Sequence, residues 1–436
     1  MITKKSISSI LANWIEPLDL AAQIAVSDYQ ENWVFLYSGL SGQIDNSKSY
    51  LCLYPQKEII ADDFSELEKN LSSQYFGYLG YDLKNQLEDL QNGKKSFIDL
   101  PNLWMINFGL VLEFDHNEKQ VSVIARSGVS HDVAIQKIIS NKTGLPRRIK
   151  RLAMTIDSNF SKSEYFHKVK SIQTHIKNGD IYQANLTRKF FGKFTTKPQN
   201  PFEIFLKLNR ESPANYSAFL KLDKNYIISS SPELFLKIDA QGKVLSSPIK
   251  GTAKRFKDQK LDAAAKKNLQ NSSKEQAENL MIVDLVRNDL SRNCLAGSVR
   301  VENLFKISSY KTLHHLSSDI CAIKNPQSSN LDIIKSCFPA GSMTGAPKIK
   351  AMEICQELEQ QNRGVYSGAI GFIGAQDCEL SVVIRTLIIK EDQFEFQVGG
   401  AITFDSNPQK EWQETINKAK GIAKTLGIKL SELRKI

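Results

Sequence analysis

Apolar positions along this chain recur with two different periods, and the switch between them divides it. Between about residues 10 and 125, short apolar runs alternate with turn-forming residues. Examples are Trp33-Val34-Phe35-Leu36-Tyr37, Tyr50-Leu51-Cys52-Leu53-Tyr54 and Val121-Ser122-Val123-Ile124. Runs rich in β-branched and aromatic residues predict strands. Over 75–82, aromatics interleave with Gly77 and Gly80, which predicts close backbone approach in a buried strand or bend. From Ser163 the period lengthens: Tyr165, Val169, Ile172 and Ile176 lie on one face of a helix, which Gly179-Asp180 ends before a strand over 181–188. Further strands are expected over 226–229, 234–238, 365–373, 380–389 and 394–398, and helices over 274–290, 330–337, 347–360 and 409–426. Strands and helices mix without a regular β-α-β beat, so the fold class expected is α+β with largely antiparallel sheets. A polar, basic stretch at about 140–160 separates an N-terminal region (1–140) from a larger one (160–430).

With 436 residues, 41% of them apolar, the chain can bury a sizeable core. Its six cysteines show no CxxC spacing, which argues against a disulfide framework or a structural zinc site. The opening MITKKSISSILANWIEPLDL has no clean signal-peptide core, and no segment approaches the ~20 apolar residues that span a bilayer. A soluble, cytoplasmic protein without membrane contact is expected. The net charge of +10 raises the question of nucleic acid. Its sharpest cluster, Pro146-Arg147-Arg148-Ile149-Lys150-Arg151, sits in the linker-like stretch without interleaved aromatics, so it reads as solvated surface and no nucleic-acid partner is expected.

Two pairs of carboxylates stand out. Glu275 and Glu278, and likewise Glu411 and Glu414, are three residues apart near a predicted helix start, with Pro408 suited to open the second helix. That spacing puts each pair on one helical face. Acidic residues in a first turn can simply complement the helix dipole. Alternatively, the two helices converge and hold a hard divalent cation, and periodicity does not choose between these. The run Ser247-Pro248-Ile249-Lys250-Gly251-Thr252 sets a lysine between an apolar residue and a glycine. Most lysines are solvated. One held in a desolvated pocket loses its proton more easily and becomes a nucleophile, and a nearby divalent cation pushes the same way.

Taken together, these segments resemble the chorismate-utilising enzyme family, which includes anthranilate, aminodeoxychorismate, isochorismate and salicylate synthases. The matching stretches run in order through the C-terminal two-thirds: GDIYQANLT (179–187), SSPELFL (230–236), PIKGTAKR (248–255), AENLMIVDLVRNDLSR (277–292), LHHLSSDI (313–320), FPAGSMTGAPKIKAMEIC (338–355), RGVYSGAIGFIG (363–374), SVVIRTLII (381–389) and VGGAITFDSNPQKEWQET (398–415). The N-terminal third is similar mainly through FGYLGYDL and matches the accessory region of anthranilate synthase component I. The resemblance implies a large α/β sandwich of two mainly antiparallel sheets flanked by helices, with chorismate and Mg2+ in a central cleft. It implies Glu278 and Glu414 as direct magnesium ligands, and Glu275 and Glu411 as carboxylates holding metal-bound water. Tyr366 and Arg385 match residues that bind substrate carboxylate, Gly399 and Gly400 match a backbone turn close to substrate, and His315, Ser342 and Thr344 match cleft-lining positions. Glu233 matches the general acid that protonates the departing ring hydroxyl.

Two positions narrow the reaction. Members that add water carry a lysine base where this chain has Gln183, and a neutral amide has no accessible basic form. Ammonia needs no such base. Anthranilate synthases usually have alanine where Lys250 stands, whereas PIKGT resembles the signature of aminodeoxychorismate synthases. The implied chemistry is attack of Lys250 on chorismate followed by displacement with ammonia, yielding a precursor of 4-aminobenzoate and folate; anthranilate synthesis is the nearest alternative. No GxCxG nucleophile motif surrounds any cysteine, so a separate glutamine amidotransferase partner is expected to supply ammonia. Where many relatives read GAG this chain reads GGA, with Ala401 at the last position, and it lacks a clear LLES-like motif of feedback-regulated members.

Overall fold

A computed structural model describes residues 14–39, 48–91, 93–125, 152–196, 198, 200–310 and 313–436, with the backbone of 7–11. The basic cluster at 146–151 lies outside the described residues. Among the described residues twenty strands join in one continuous hydrogen-bonded network, and every pairing between these strands is antiparallel. The long strands Lys48–Ala61 and Leu103–Asp115 connect its two leaves. Leu103–Asp115 pairs with Tyr75–Leu79 along its first residues and with Gln120–Ala125 along its last.

Alternation along the strands sorts the apolar side chains into layers, as a period of two requires. Val34, Cys52, Phe76, Tyr78, Leu220, Ile227, Phe372 and Ile388 meet in a core built almost entirely of strand residues, between the leaves. Their neighbours Trp33, Phe35, Leu51, Phe219, Ile228 and Ile389 face the other way, against the helices Pro17–Val26, Pro201–Glu211 and Pro408–Leu426. On the opposite outer face Tyr75, Leu79, Leu380 and Ile320 pack against the helices Ser273–Ser291 and Asn330–Cys337. The expected antiparallel sandwich flanked by helices is what the chain forms. The N-terminal region is woven into it: Trp33–Tyr37 pairs with Tyr216–Leu222, and Tyr75–Leu79 with Ala369–Ile373.

Several expected elements differ in detail. The strand expected over 380–389 is two strands, Cys378–Val382 and Thr386–Lys390, broken where Arg385 adopts a left-handed φ of 51°. The strand expected over 365–373 begins only at Ala369, because Gly364 and Ser367 turn the chain at positive φ. The strand expected over 181–188 starts at Gln183 and continues to Phe194. The helices Pro17–Val26, Pro201–Glu211 and Gln259–Gln270 were not anticipated by periodicity.

The aromatic–glycine stretch behaves as its composition suggests. Gly77 pairs with Gly371, and a Cβ on Gly77 would lie 2.0 Å from the Trp104 carbonyl oxygen. Backbone on both sides leaves no room to relax. Gly77→Ala is therefore expected to destabilise the fold by on the order of 3 kcal/mol, measured by chemical denaturation; a loss below ~0.5 kcal/mol would contradict this packing.

Candidate active site

Lys250 lies in the strand Ile249–Lys254, which pairs with Leu313–Ile323 through an irregular register between Ile249 and Thr252. Its amine donates a hydrogen bond to the Ser342 carbonyl at 3.2 Å. Ser342 belongs to the short turn Gly341–Met343, bracketed by cis peptide bonds at Phe338-Pro339 and Ala346-Pro347. Charged side chains fix this turn. Arg363 donates to the Met343 carbonyl (2.8 Å) and the Asn185 carbonyl (2.8 Å) while paired with Glu359. Lys348 donates to the carbonyls of Cys337 and Pro339 and ion-pairs with Asp289. Gln183 and Ala184 pair with Ala346 and Gly345, and the Thr344 carbonyl accepts from the Asn185 amide, so Gln183 lies beside the same segment.

Glu233 sits buried between the strands Asn225–Ser231 and Leu234–Ile238. Burial pushes its carboxyl above the ordinary range, against the pull of the Ser342 hydroxyl, the Lys250 charge and the Ile249 amide. Burial likewise pushes Lys250 below the ordinary lysine range, with Glu233 opposing most strongly and Glu278 and Glu275 adding to that opposition. Part of the Lys250 surface remains accessible, but protein crowds the amine on most sides and strips its hydration. In both groups loss of water outweighs mutual attraction, so each is driven toward its neutral form. Those are the forms a nucleophilic amine and a proton-donating acid require.

Arg385, held by its left-handed backbone, is also drawn down by burial, with Glu233 opposing. His315 is 3% exposed, and burial, Arg385 and His314 together hold its imidazole down to about 3. It is therefore neutral at physiological pH, and among the described residues neither ring nitrogen has a hydrogen-bond partner. Gln183 Oε1 is likewise buried and unpartnered. The buried Tyr366 phenol is pushed far up, first by burial, and stays protonated. Thr344 spends its hydroxyl on the Gly341 carbonyl within its own turn. Leu234, Ile249, Tyr310, His315 and Ser317 line a cavity, to which Glu233 and Lys250 themselves do not contribute.

The two glutamate pairs do open their helices. Ser272 caps Ser273–Ser291 by accepting from the Glu275 amide, and Asn407 caps Pro408–Leu426, with Pro408 at its start. The two pairs lie within electrostatic reach of each other: Glu414 acts on Glu275, and Lys274 beside Glu275 acts on Glu411. A Cβ on Gly251 (φ 84°) would meet Glu275 Oε2 at 2.8 Å, so glycine lets that strand approach its carboxylate, while Gly400 faces Glu411, whose Oε2 would lie at an ordinary contact distance of 3.4 Å. Glu275 is raised by burial first, then by Glu278, with Glu414 contributing from the other helix. Glu411 is raised by burial, and its Oε1 accepts from the Ser406 hydroxyl at 2.8 Å. Among the described residues no three His, Cys, Asp or Glu side chains form a ready-made ligand set. A hard cation such as magnesium needs only one or two carboxylates besides water and substrate oxygens. Four carboxylates in two pairs within electrostatic reach of each other supply oxygen donors of the kind such an ion takes.

Lys418 escaped the sequence reading. Its amine donates to the Gly399 carbonyl at 2.7 Å and lies 3.5 Å from Glu414, and its charge is felt by Glu233, Lys250 and Glu411. The available signal was its place one helical turn after Glu414.

The sequence profile of the family described as "chorismate binding enzyme" matches residues 25–424. The chain is 36% identical over 351 residues to aminodeoxychorismate synthase component 1 of Escherichia coli (strain K12), covering 80% of this chain and 76% of that protein. It is 32% identical over 370 residues to anthranilate synthase component 1 of Aquifex aeolicus (strain VF5), covering 81% and 74%. The crystal structure of anthranilate synthase component I from Streptococcus pneumoniae TIGR4 superposes with a TM-score of 0.76 at 28% identity, covering 87% of this chain and 92% of that one.

Burial of Glu275, with repulsion from Glu278 added to it, makes a testable demand on stability. Glu275 binds its proton more tightly folded than unfolded. Its contribution is therefore full below the unfolded glutamate pKa of ~4.3 and lost as pH rises through the higher folded value. Without divalent metal, Glu275→Gln should be more stable than the parent at pH 7.5, with the gain shrinking toward pH 5. Chemical denaturation in chelator checks this; a variant less stable at pH 7.5 would contradict it.

Proposed function

The chain belongs to the chorismate binding enzyme family, and from that premise we propose that it converts chorismate and ammonia into 4-amino-4-deoxychorismate through a covalent Lys250 intermediate. It is a chorismate-utilising enzyme; the choice of product is the proposal. Relatives named for aminodeoxychorismate synthesis and for anthranilate synthesis match it about equally well. The former reading is favoured by Lys250, whose amine stands in surroundings that favour its neutral form beside the likewise neutral-favouring Glu233.

In this reading the Ser342 carbonyl takes one N–H of Lys250 and aims the lone pair at the ring. Lys250 attacks C2 of chorismate, and Glu233 protonates the C4 hydroxyl so that it leaves as water rather than hydroxide. Ammonia then attacks C4 and Lys250 departs, so two displacements replace one harder substitution. Arg385 and Tyr366 hold substrate carboxylate, Arg385 through charge-assisted hydrogen bonds. Neutral His315 and Gln183 offer hydrogen bonds to the ring substituents without serving as a base for water. Glu278 and Glu414 would hold Mg2+, with Glu275 and Glu411 holding its water, and the ion would supply positive charge against the ring carboxylate.

Ammonia is assigned to a separate glutamine amidotransferase. All six cysteines are buried, and burial pushes the thiols of Cys337 and Cys355 up to about 12, so neither provides an accessible thiolate.

Incubation with chorismate, Mg2+ and ammonium should yield 4-amino-4-deoxychorismate by mass, converted to 4-aminobenzoate only after a lyase is added. Anthranilate with pyruvate release would instead support the alternative. Lys250→Ala should abolish this product, and Glu233→Gln should lower kcat by about 10²–10⁴-fold. The parent kcat/KM should trace a bell against pH whose limbs belong to the pair. Glu233→Gln should leave one limb, rising with pH as Lys250 loses its proton; full retention of product by Lys250→Ala would overturn the nucleophile assignment.

A further inference from the structure

The two glutamates read as direct metal ligands are also the two that carry a lysine one helical turn away. Lys274 Nζ lies 3.7 Å from Glu278 Oε1, and Lys418 Nζ lies 3.5 Å from Glu414 Oε1. Helix stabilisation does not account for Lys274. It sits in the first turn of Ser273–Ser291, where the helix dipole disfavours a cation, and it precedes its glutamate, the weaker orientation for such a pair. Its charge reaches beyond its own helix, acting on Glu275 and on Glu411 of the other helix. Lys418 acts from the other side on Glu411, Glu233 and Lys250. Both lysine side chains are well exposed, at 62% and 47%, and both contacts are longer than a hydrogen bond. Pairs of that kind are weak and readily exchanged.

We propose that Lys274 and Lys418 are resident counter-cations of the carboxylate site: they neutralise Glu278 and Glu414 when no metal is bound, yield to a divalent cation, and thereby weaken its binding in the absence of substrate. The inference rests on the metal-site reading above. Without these lysines, four carboxylates within electrostatic reach of one another would attract a divalent ion strongly on their own. With them, binding exchanges one set of positive charges for another, and the oxygens of an anionic substrate supply the remaining attraction.

The test is Mn2+ binding to the full chain without chorismate, followed by the electron paramagnetic resonance of free Mn2+, with Mg2+ calorimetry in parallel. Lys274→Met and Lys418→Met should each bind Mn2+ about threefold to tenfold more tightly than the parent, the size of a solvent-screened charge interaction. Lys274→Arg and Lys418→Arg, which keep the charge, should stay near the parent value. Near-ultraviolet circular dichroism checks that the exposed substitutions leave the fold intact. Parent binding with equal or weaker binding by both Met variants overturns the proposal alone. No binding by the parent or any variant overturns the metal-site reading and the proposal with it.

Discussion

Everything at this site depends on the removal of water from around Lys250 and Glu233. An amine and a carboxyl close together in water would form a charged pair, useless as nucleophile and acid. Here the protein crowds both groups, and desolvation dominates the attraction between them. No ion pair joins them, and the amine is given a carbonyl instead, a partner that suits the neutral form as well as the charged one. The fold's larger features serve that arrangement. The irregular register beside Lys250, the left-handed backbone at Gly251 and the fixed turn at 341–343 set where the amine points.

The turn itself is held by charges that never meet solvent. Arg363 and Glu359 are almost wholly buried and bind the turn, the Asn185 carbonyl and the Thr187 amide together. Behind them Lys189, Glu395, Ser96 and the Ile98 amide form a second buried network that reaches into the N-terminal region, and Asp82 accepts from the Gly364 amide at 2.8 Å. Buried ion pairs add little net stability, because desolvation offsets their attraction, but removing one partner is severe. Their value here is register: they tie strands from both ends of the chain to the segment that carries the Ser342 carbonyl. The carboxylate pairs follow the opposite logic, with like charges gathered together and balanced by the exposed lysines Lys274 and Lys418 and, more deeply, by Lys250.

Much of this was legible in the sequence because local chemistry agreed with the final structure. Asn330–Cys337 and Trp33–Tyr37 form where their patterns end, and Pro408 opens the helix that carries Glu411 and Glu414. The glutamate pairs were visible from spacing alone, whereas the electrostatic reach of one pair to the other was not, since it depends on how two helices distant in sequence dock against the sheet. Arg385 was named through the family resemblance, but the strand break at it lay hidden inside an apolar run that reads as one strand, because a left-handed turn at a single non-glycine residue leaves no periodic trace. Lys418 was passed over for the opposite reason: a lysine four residues after a glutamate is ordinary on any helix, and only the Gly399 carbonyl beside it makes it distinctive. The buried struts Arg363 and Lys189 also look like surface charges until the tertiary contacts surround them.

The most direct test is to titrate the Lys250 amine itself. Nitrogen-15 NMR of the lysine-labelled protein, with the Lys250 signal assigned by its loss in Lys250→Arg, reads the ionisation in place without any turnover. A Lys250 pKa below that of ordinary lysines, falling further when Glu233 is replaced by glutamine, is the result expected. A value at or above the ordinary lysine range would mean that the amine is held as a charged ion, and the nucleophile account would fail.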